Sequence, residues 1–130
     1  MQFFENQPNN LLKVATHIKK LNIEGVTSIN DDIVKQFTNL QNLKIDKYCK
    51  WLFIDKCIKN LTSLTKLDIE FNWNIKSLSK LTNLRTLRIV QCNKIHDNDI
   101  NTLTHLTKLN CVYTTITNNG IKKFGKFEIS

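Results

Sequence analysis

The chain is poor in the residues that make tight turns: three glycines and one proline in 130 residues. Beside ordinary apolar (41%) and charged (23%) fractions, that scarcity excludes a chain of flexible linkers and points to one ordered domain. No apolar run approaches the roughly 18 residues needed to cross a bilayer, and the start, MQFFENQPNN, lacks the pattern of a signal peptide. A cytoplasmic location is therefore expected. The four cysteines, Cys49, Cys57, Cys92 and Cys111, show no C-x-x-C spacing, which suits reduced, buried thiols better than a disulfide framework or a zinc site. There is no Gly-rich phosphate loop. Catalysis needs a converging nucleophile, base and orienting group, or a metal with three ligands. His17 and His105 are isolated, and Asp97, next to His96, reads as a helix cap. No enzyme activity, cofactor or metal site is expected.

One composition feature is in excess: a formal charge of +8. A basic face can hold phosphate backbones or anionic lipid. Here Lys13, Lys19, Lys35, Lys56, Lys59, Lys76, Lys80, Lys94, Lys122 and Lys123 are scattered, mostly outside the expected strands. A solvated outer surface is the plain reading, and nucleic-acid or anionic-membrane binding through those lysines is the alternative.

What the chain has in plenty is repetition. Leu-x-x-Leu-x-x-Leu-x-Ile occurs twice between Leu61 and Ile95, and the last leucine of each unit marks a series: Leu21, Leu43, Leu67, Leu87 and Leu109. The steps are 22, 24, 20 and 22 residues, taken by difference along the sequence. Ile23, Ile45, Ile69, Ile89 and Cys111 follow two residues later, and that alternation describes a short strand with one buried face. Between strands, Asn30, Asp97 and Thr117 to Asn119 stand where short helices would be capped. The third return, Lys76 to Lys80, leaves room for a turn of 3₁₀ helix at most. The second return is long and apolar, with Trp51, Ile54 and Ile58 expected in the core and an exposed patch around Trp51 and Phe53 as the alternative. At the front, Leu11, Val14, Ala15 and Ile18 recur at helical spacing behind Pro8, as a cap over the first rung.

Leu84 to Asp97 resembles L-x-x-L-x-L-x-x-C-x-x-I-x-D, the pattern of the cysteine-containing class of leucine-rich repeats. Leu64 to Ile75 is similar, with Asn72 at the cysteine position. The resemblance covers about 18 to 129. It implies an α/β fold: a right-handed leucine-rich repeat solenoid, a short curved horseshoe with a parallel sheet on the concave face and short helices, 3₁₀ turns and loops on the convex face. The expected organisation is a single domain over 1–130, with an N-terminal helical cap at 1–19, five repeats from about 18 to 124 and a partial sixth strand at 125–130. It also implies a ladder of turn-bonding side chains, which falls here on Val26, Tyr48, Asn72, Cys92 and Thr114. The family's work is largely recognition, so another protein is the expected partner. The role could be that of an adaptor, a substrate receptor or an effector. An uncapped last strand would suit either a homodimer or a fragment of a larger receptor.

The expected partner surface follows from alternation, since residues between the buried leucines face the concave side. The columns across the rungs give Glu24, Lys44, Asp46, Lys66, Asp68, Glu70, Phe71, Arg88, Val90 and Tyr113 as candidates. Glu24, Asp46 and Glu70 form a line of acids about 4.8 Å apart on neighbouring strands, which would select a basic segment unless lysines neutralise it. Phe71 and Tyr113 are the expected apolar anchors.

Overall fold

The computed structural model describes residues 13–27, 29–49, 54–71, 75–124 and 128–129. Six strands, β1 (Lys20–Asn22), β2 (Asn42–Ile45), β3 (Lys66–Glu70), β4 (Thr86–Val90), β5 (Lys108–Val112) and β6 (Glu128–Ile129), form one sheet in chain order. Every neighbouring pair is parallel. The register puts Leu21 opposite Leu43, then Leu67, Leu87 and Leu109 in one row, with Ile129 closing it. The marker leucines therefore do what their spacing predicts: each rung lays the same residue over its predecessor. The fold is an α/β leucine-rich repeat solenoid.

The core is the stack of those rows. Leu61, Leu64 and Leu67, then Leu81, Leu84 and Leu87, then Leu103, Leu106 and Leu109 are all buried, as are Ile23, Ile45, Ile69 and Ile89. Phe37 and Leu40 occupy the corresponding rows of the rung that ends in β2. A single rung cannot bury its own apolar face, so this interior exists only because neighbouring rungs stack.

Among the described residues the return segments carry four short helices: α1 (Asp31–Val34), α2 (Ile54–Ile58), α3 (Asp97–Ile100) and α4 (Asn118–Lys122). Asn30 caps α1 by accepting from Ile33 N–H at 3.0 Å, and Thr117 caps α4 by accepting from Asn119 N–H at 3.2 Å. Among its described residues the third return has no helix, as its shortness predicts.

Two expectations need correcting. Asp97 is not the cap of α3. His96 holds that position, its N–H donating to Asp99 Oδ2 at 2.8 Å. Asp97 instead reaches the next rung, accepting from Thr117 N–H at 2.7 Å and Thr117 Oγ1 at 2.6 Å. Those two bonds hold its carboxyl below the ordinary range. Gly120 makes room for it, because a Cβ there would lie 2.3 Å from Asp97 Oδ1. Asp55 ties its rung to the next in the same way, accepting from Lys76 N–H (2.9 Å) and Ser77 N–H (3.3 Å). At the front, Val14 is 48% exposed rather than on the inner face, whereas Ala15 is buried within a 3₁₀ turn over Ala15–His17. Most of the expected cap, the patch at Trp51 and Phe53, and Asn72 lie outside the described residues.

A further column was not anticipated. Asn39 Nδ2 donates to Thr16 O (2.8 Å), Asn83 Nδ2 donates to Thr62 O (2.9 Å), and His105 Nδ1 lies 3.0 Å from Thr82 O. Each stands four residues before its marker leucine. A carbonyl only accepts, so His105 carries its proton on Nδ1. The isolated histidine thus has a structural job.

Candidate partner-binding face

The outward residues of the strands are set by alternation, but the turns that follow the strands determine which side chains stand at the rim. Gly25, Phe71, Gln91 and Tyr113 each fall four residues beyond a marker leucine, and each has positive φ (72°, 56°, 54° and 53°). That backbone turns the N–H toward the next rung: Phe71 N–H donates to Val90 O at 2.8 Å and Gln91 N–H to Val112 O at 2.9 Å. Glycine adopts this conformation freely, whereas a bulky residue pays about 1–3 kcal/mol of strain. Two of the four positions nevertheless carry an aromatic.

The turn after β2 is built differently. One extra residue separates Leu43 from the turn cysteine, so the ladder position belongs to Cys49 and not to Tyr48. The buried Cys49 thiol donates to Ile23 O at 3.1 Å, and Cys92, one residue closer to its own marker, sits 4.0 Å from Ile69 O. Asp46 absorbs the insertion. Its Oδ2 accepts from Gly25 N–H at 2.9 Å, which is the bond that the carbonyls of Val90 and Val112 accept in later rungs. Its Oδ1 accepts from Tyr48 N–H at 3.0 Å. A carboxylate only 7% exposed is tolerable there because backbone N–H groups surround it. In the last full rung Thr114 does not reach back either; Thr115 Oγ1 donates to Ile95 O at 2.5 Å, and Thr114 Oγ1 accepts locally from Ile116 N–H at 3.4 Å.

The expected line of acids is accordingly broken. Asp46 has turned inward, Glu24 pairs with Lys44 at 3.1 Å, and Glu70 pairs with Arg88 at 3.2 Å. Arg88 also holds Asp68 at 2.8 Å through its other terminal nitrogen, spanning two carboxylates on β3. The pairing pushes Lys44 up through its bond to Glu24 and Arg88 up through its bond to Asp68. Each of these acids has a partner within the protein.

Phe71 is half-buried and Tyr113 is 76% exposed. Val90 is half-buried on β4, and Val112 is exposed beside it on β5. The extra residue of the second turn puts Tyr48 in the open at 53% exposure. Lys47 Nζ sits 5.2 Å from the Tyr48 ring centroid and 5.6 Å from that of Phe71, between two aromatic faces. Tyr48 was missed by the sequence columns because a fixed offset of five residues from the marker leucine placed it in the ladder; the surplus residue before Cys49 was the available signal. Lys66 is exposed at the opposite end of β3.

Between these ends the face carries two depressions. One, of about 370 Å³, is lined by Lys20, Asn22, Asn42, Lys44, Lys66 and Asp68. The other, of about 210 Å³, lies over β3 to β5 and includes Thr86, Arg88 and Asn110. Among the described residues no group of three or more His, Cys, Asp or Glu could hold a metal ion. No helix of the described residues is long and apolar enough to cross a membrane.

The fold and face define a leucine-rich repeat solenoid with an open concave sheet. No family model matches the chain, and no curated protein is similar to it in sequence. A solved structure of an internalin (inlF) from Listeria monocytogenes is similar to it in fold, with a TM-score of 0.57 at 22% identity. The likeness covers 95% of this chain and 43% of the internalin, so this chain spans less than half of that protein's length.

Proposed function

We propose that this is a non-catalytic recognition module that holds another protein against its concave face. The observation that carries the reading is the aromatic rim: Phe71 and Tyr113 occupy positive-φ positions where Gly25 shows glycine to serve, and Tyr113 and Tyr48 stand in solvent. Strain retained at the exposed Tyr113 and the half-buried Phe71 is what a binding surface accounts for, and aromatic anchors carry much of the energy of protein interfaces. Lys47, Arg88 and Lys44 hold the neighbouring side chains in place, so the face meets a partner with little ordering left to do. Glu24, Asp68 and Glu70 act here by fixing those cations.

The cysteine-containing class of repeats is the subclass we assign, on the strength of the Cys49 and Cys92 thiols facing carbonyls of the preceding rung. None of the four cysteines is in a disulfide, which suits the cytoplasmic reading.

The test is photo-crosslinking in the source cell, with a photoreactive residue at Val90 on the concave face or at Lys94 on the outer side. A protein captured from position 90 and absent from position 94, and lost when Phe71→Ala and Tyr113→Ala are combined, is expected. Capture from position 94 alone, with a steep salt dependence, would instead support binding through the outer lysines.

A further inference from the structure

The charge balance of the concave face points to the chemistry of the partner. Three acids whose side chains are described on its surface are each taken up by a cation: Glu24 by Lys44, and Asp68 and Glu70 together by Arg88. Asp46 is buried in its turn. Lys20 on β1 and Lys66 on β3 are different. Both are exposed, both line the larger depression, and neither meets a carboxylate among the described residues. They stand in one column, in register through Asn42, and Lys108 continues that column on β5 after Thr86.

Resting on the recognition reading above, we infer that the face receives an acidic, extended peptide segment lying across the strands over Lys20 and Lys66. Lysines on alternate strands stand about 10 Å apart, two strand spacings of about 4.8 Å. A chain in the extended polyproline-II form rises about 3.1 Å per residue and turns once every three, so it covers nearly the same distance in three residues and an acid at every third position meets Lys20 and then Lys66. An extended segment leaves its own N–H and C=O groups open, and Asn42 between Lys20 and Lys66, with Thr86 beyond Lys66 in the same column, supplies hydrogen-bonding partners for them. A helix satisfies its own backbone and has no use for that row. The face therefore selects the opposite charge to the one its string of acids suggests in sequence.

The experiment uses the full chain and three labelled 15-residue peptides with Glu, Lys or Gln at every third position and the same filler residues, in fluorescence anisotropy at about 50 mM salt, where pairing of exposed charges is least screened. The Glu peptide is expected to bind saturably and at least tenfold more tightly than the other two. Lys20→Glu with Lys66→Glu is expected to lower that affinity tenfold or more, and Lys20→Gln with Lys66→Gln to lower it by less, with the circular dichroism spectrum unchanged in both because the two side chains are exposed. Equal binding of the Glu and Lys peptides, or binding indifferent to the double reversal, overturns the inference. So does a 15-nucleotide single-stranded RNA that binds more tightly than the Glu peptide through the same two lysines. If the double reversal leaves the Val90 crosslink intact while Phe71→Ala with Tyr113→Ala abolishes it, the acidic preference is wrong and the concave reading stands. If neither pair of changes affects that crosslink, both are wrong.

Discussion

The turns after β2 and β4 leave the sheet from equivalent isoleucines, Ile45 and Ile89, and end on equivalent cysteines, yet one is a residue longer. After β4, Gln91 takes positive φ, its N–H meets Val112 O, and Cys92 packs inward. After β2, Asp46 supplies a side-chain oxygen where the regular turn uses a carbonyl, and Lys47 and Tyr48 are pushed outward before Cys49 recovers the inner position. The pair teaches that the solenoid keeps a pattern of bonds between rungs and not a count of residues. An insertion is absorbed when a side chain can replace the displaced backbone acceptor. The displaced residues become surface, and here they become part of the aromatic rim.

The largest effect should come from removing the substitute acceptor. Asp46→Ala leaves Gly25 N–H and Tyr48 N–H without partners, and bonds to a charged acceptor contribute about 1.5–3 kcal/mol each, so a loss of about 3 kcal/mol in urea unfolding is expected. Val90→Ala, at the matching position after β4, trims a half-buried side chain without touching its carbonyl, and about 1 kcal/mol is expected. If the two losses are equal, the substitution of side chain for backbone is not what holds the second turn. A regularised turn sharpens the point: Asp46→Val and Lys47→Gly with Tyr48 deleted should recover more than half of the Asp46→Ala loss.

The cysteines come next. Cys49→Ala removes the short thiol bond to Ile23 O, which keeps its bond from Val26 N–H, and leaves a cavity, so it should cost about 2 kcal/mol; Cys92→Ala, with its longer contact, should cost nearer 1 kcal/mol. Burial pushes the Cys49 thiol up to about 11 and that of Cys57 up to about 12. A folded-state value above the unfolded one means stability that is complete below about pH 9 and drains away as pH rises toward those values. The melting temperature should therefore fall from about pH 9 upward in the parent and less steeply in Cys49→Ala. Asp97 has the opposite sign: its lowered carboxyl stabilises above the unfolded value near 3.8, and that contribution disappears as pH falls through the folded one. Asp97→Asn should flatten the acid limb of the same curve.

The smallest effects concern the positive-φ residues. Gly25→Ala meets no atom within 4 Å, so its cost is backbone strain alone, about 1 kcal/mol. Gln91→Gly should gain up to about 1 kcal/mol. Phe71→Gly should come out near zero, because relief of the same strain is offset by the lost ring contact with Lys47. A clear gain at Phe71 would mean that the ring contributes nothing to the fold and is kept for its surface alone.

Much of the architecture was legible in one dimension. The marker leucines fix strand order and register because a parallel stack repeats one buried row, and an alternating pattern admits one register. The same alternation puts Lys44, Asp68, Glu70 and Arg88 on the sheet face that the buried leucines leave open. It could not decide what those charges do, since pairing depends on which side chains of adjacent rungs come within reach. Asp68 and Glu70 lie about 20 residues from Arg88 in sequence and touch it in space.

The sequence by itself determined the solenoid, its register, its buried rows and the identity of its exposed columns, because burial of apolar side chains at fixed spacing acts on every rung alike. Only the tertiary structure decided that the acids are paired with their neighbours, that Asp46 lies inside a turn, that Tyr48 stands outside it, and that Lys20 and Lys66 stand exposed with no carboxylate beside them among the described residues. Those outcomes turn on single hydrogen bonds and ion pairs between rungs, and a pattern of residue types does not specify distances of 3 Å across a gap of 20 residues.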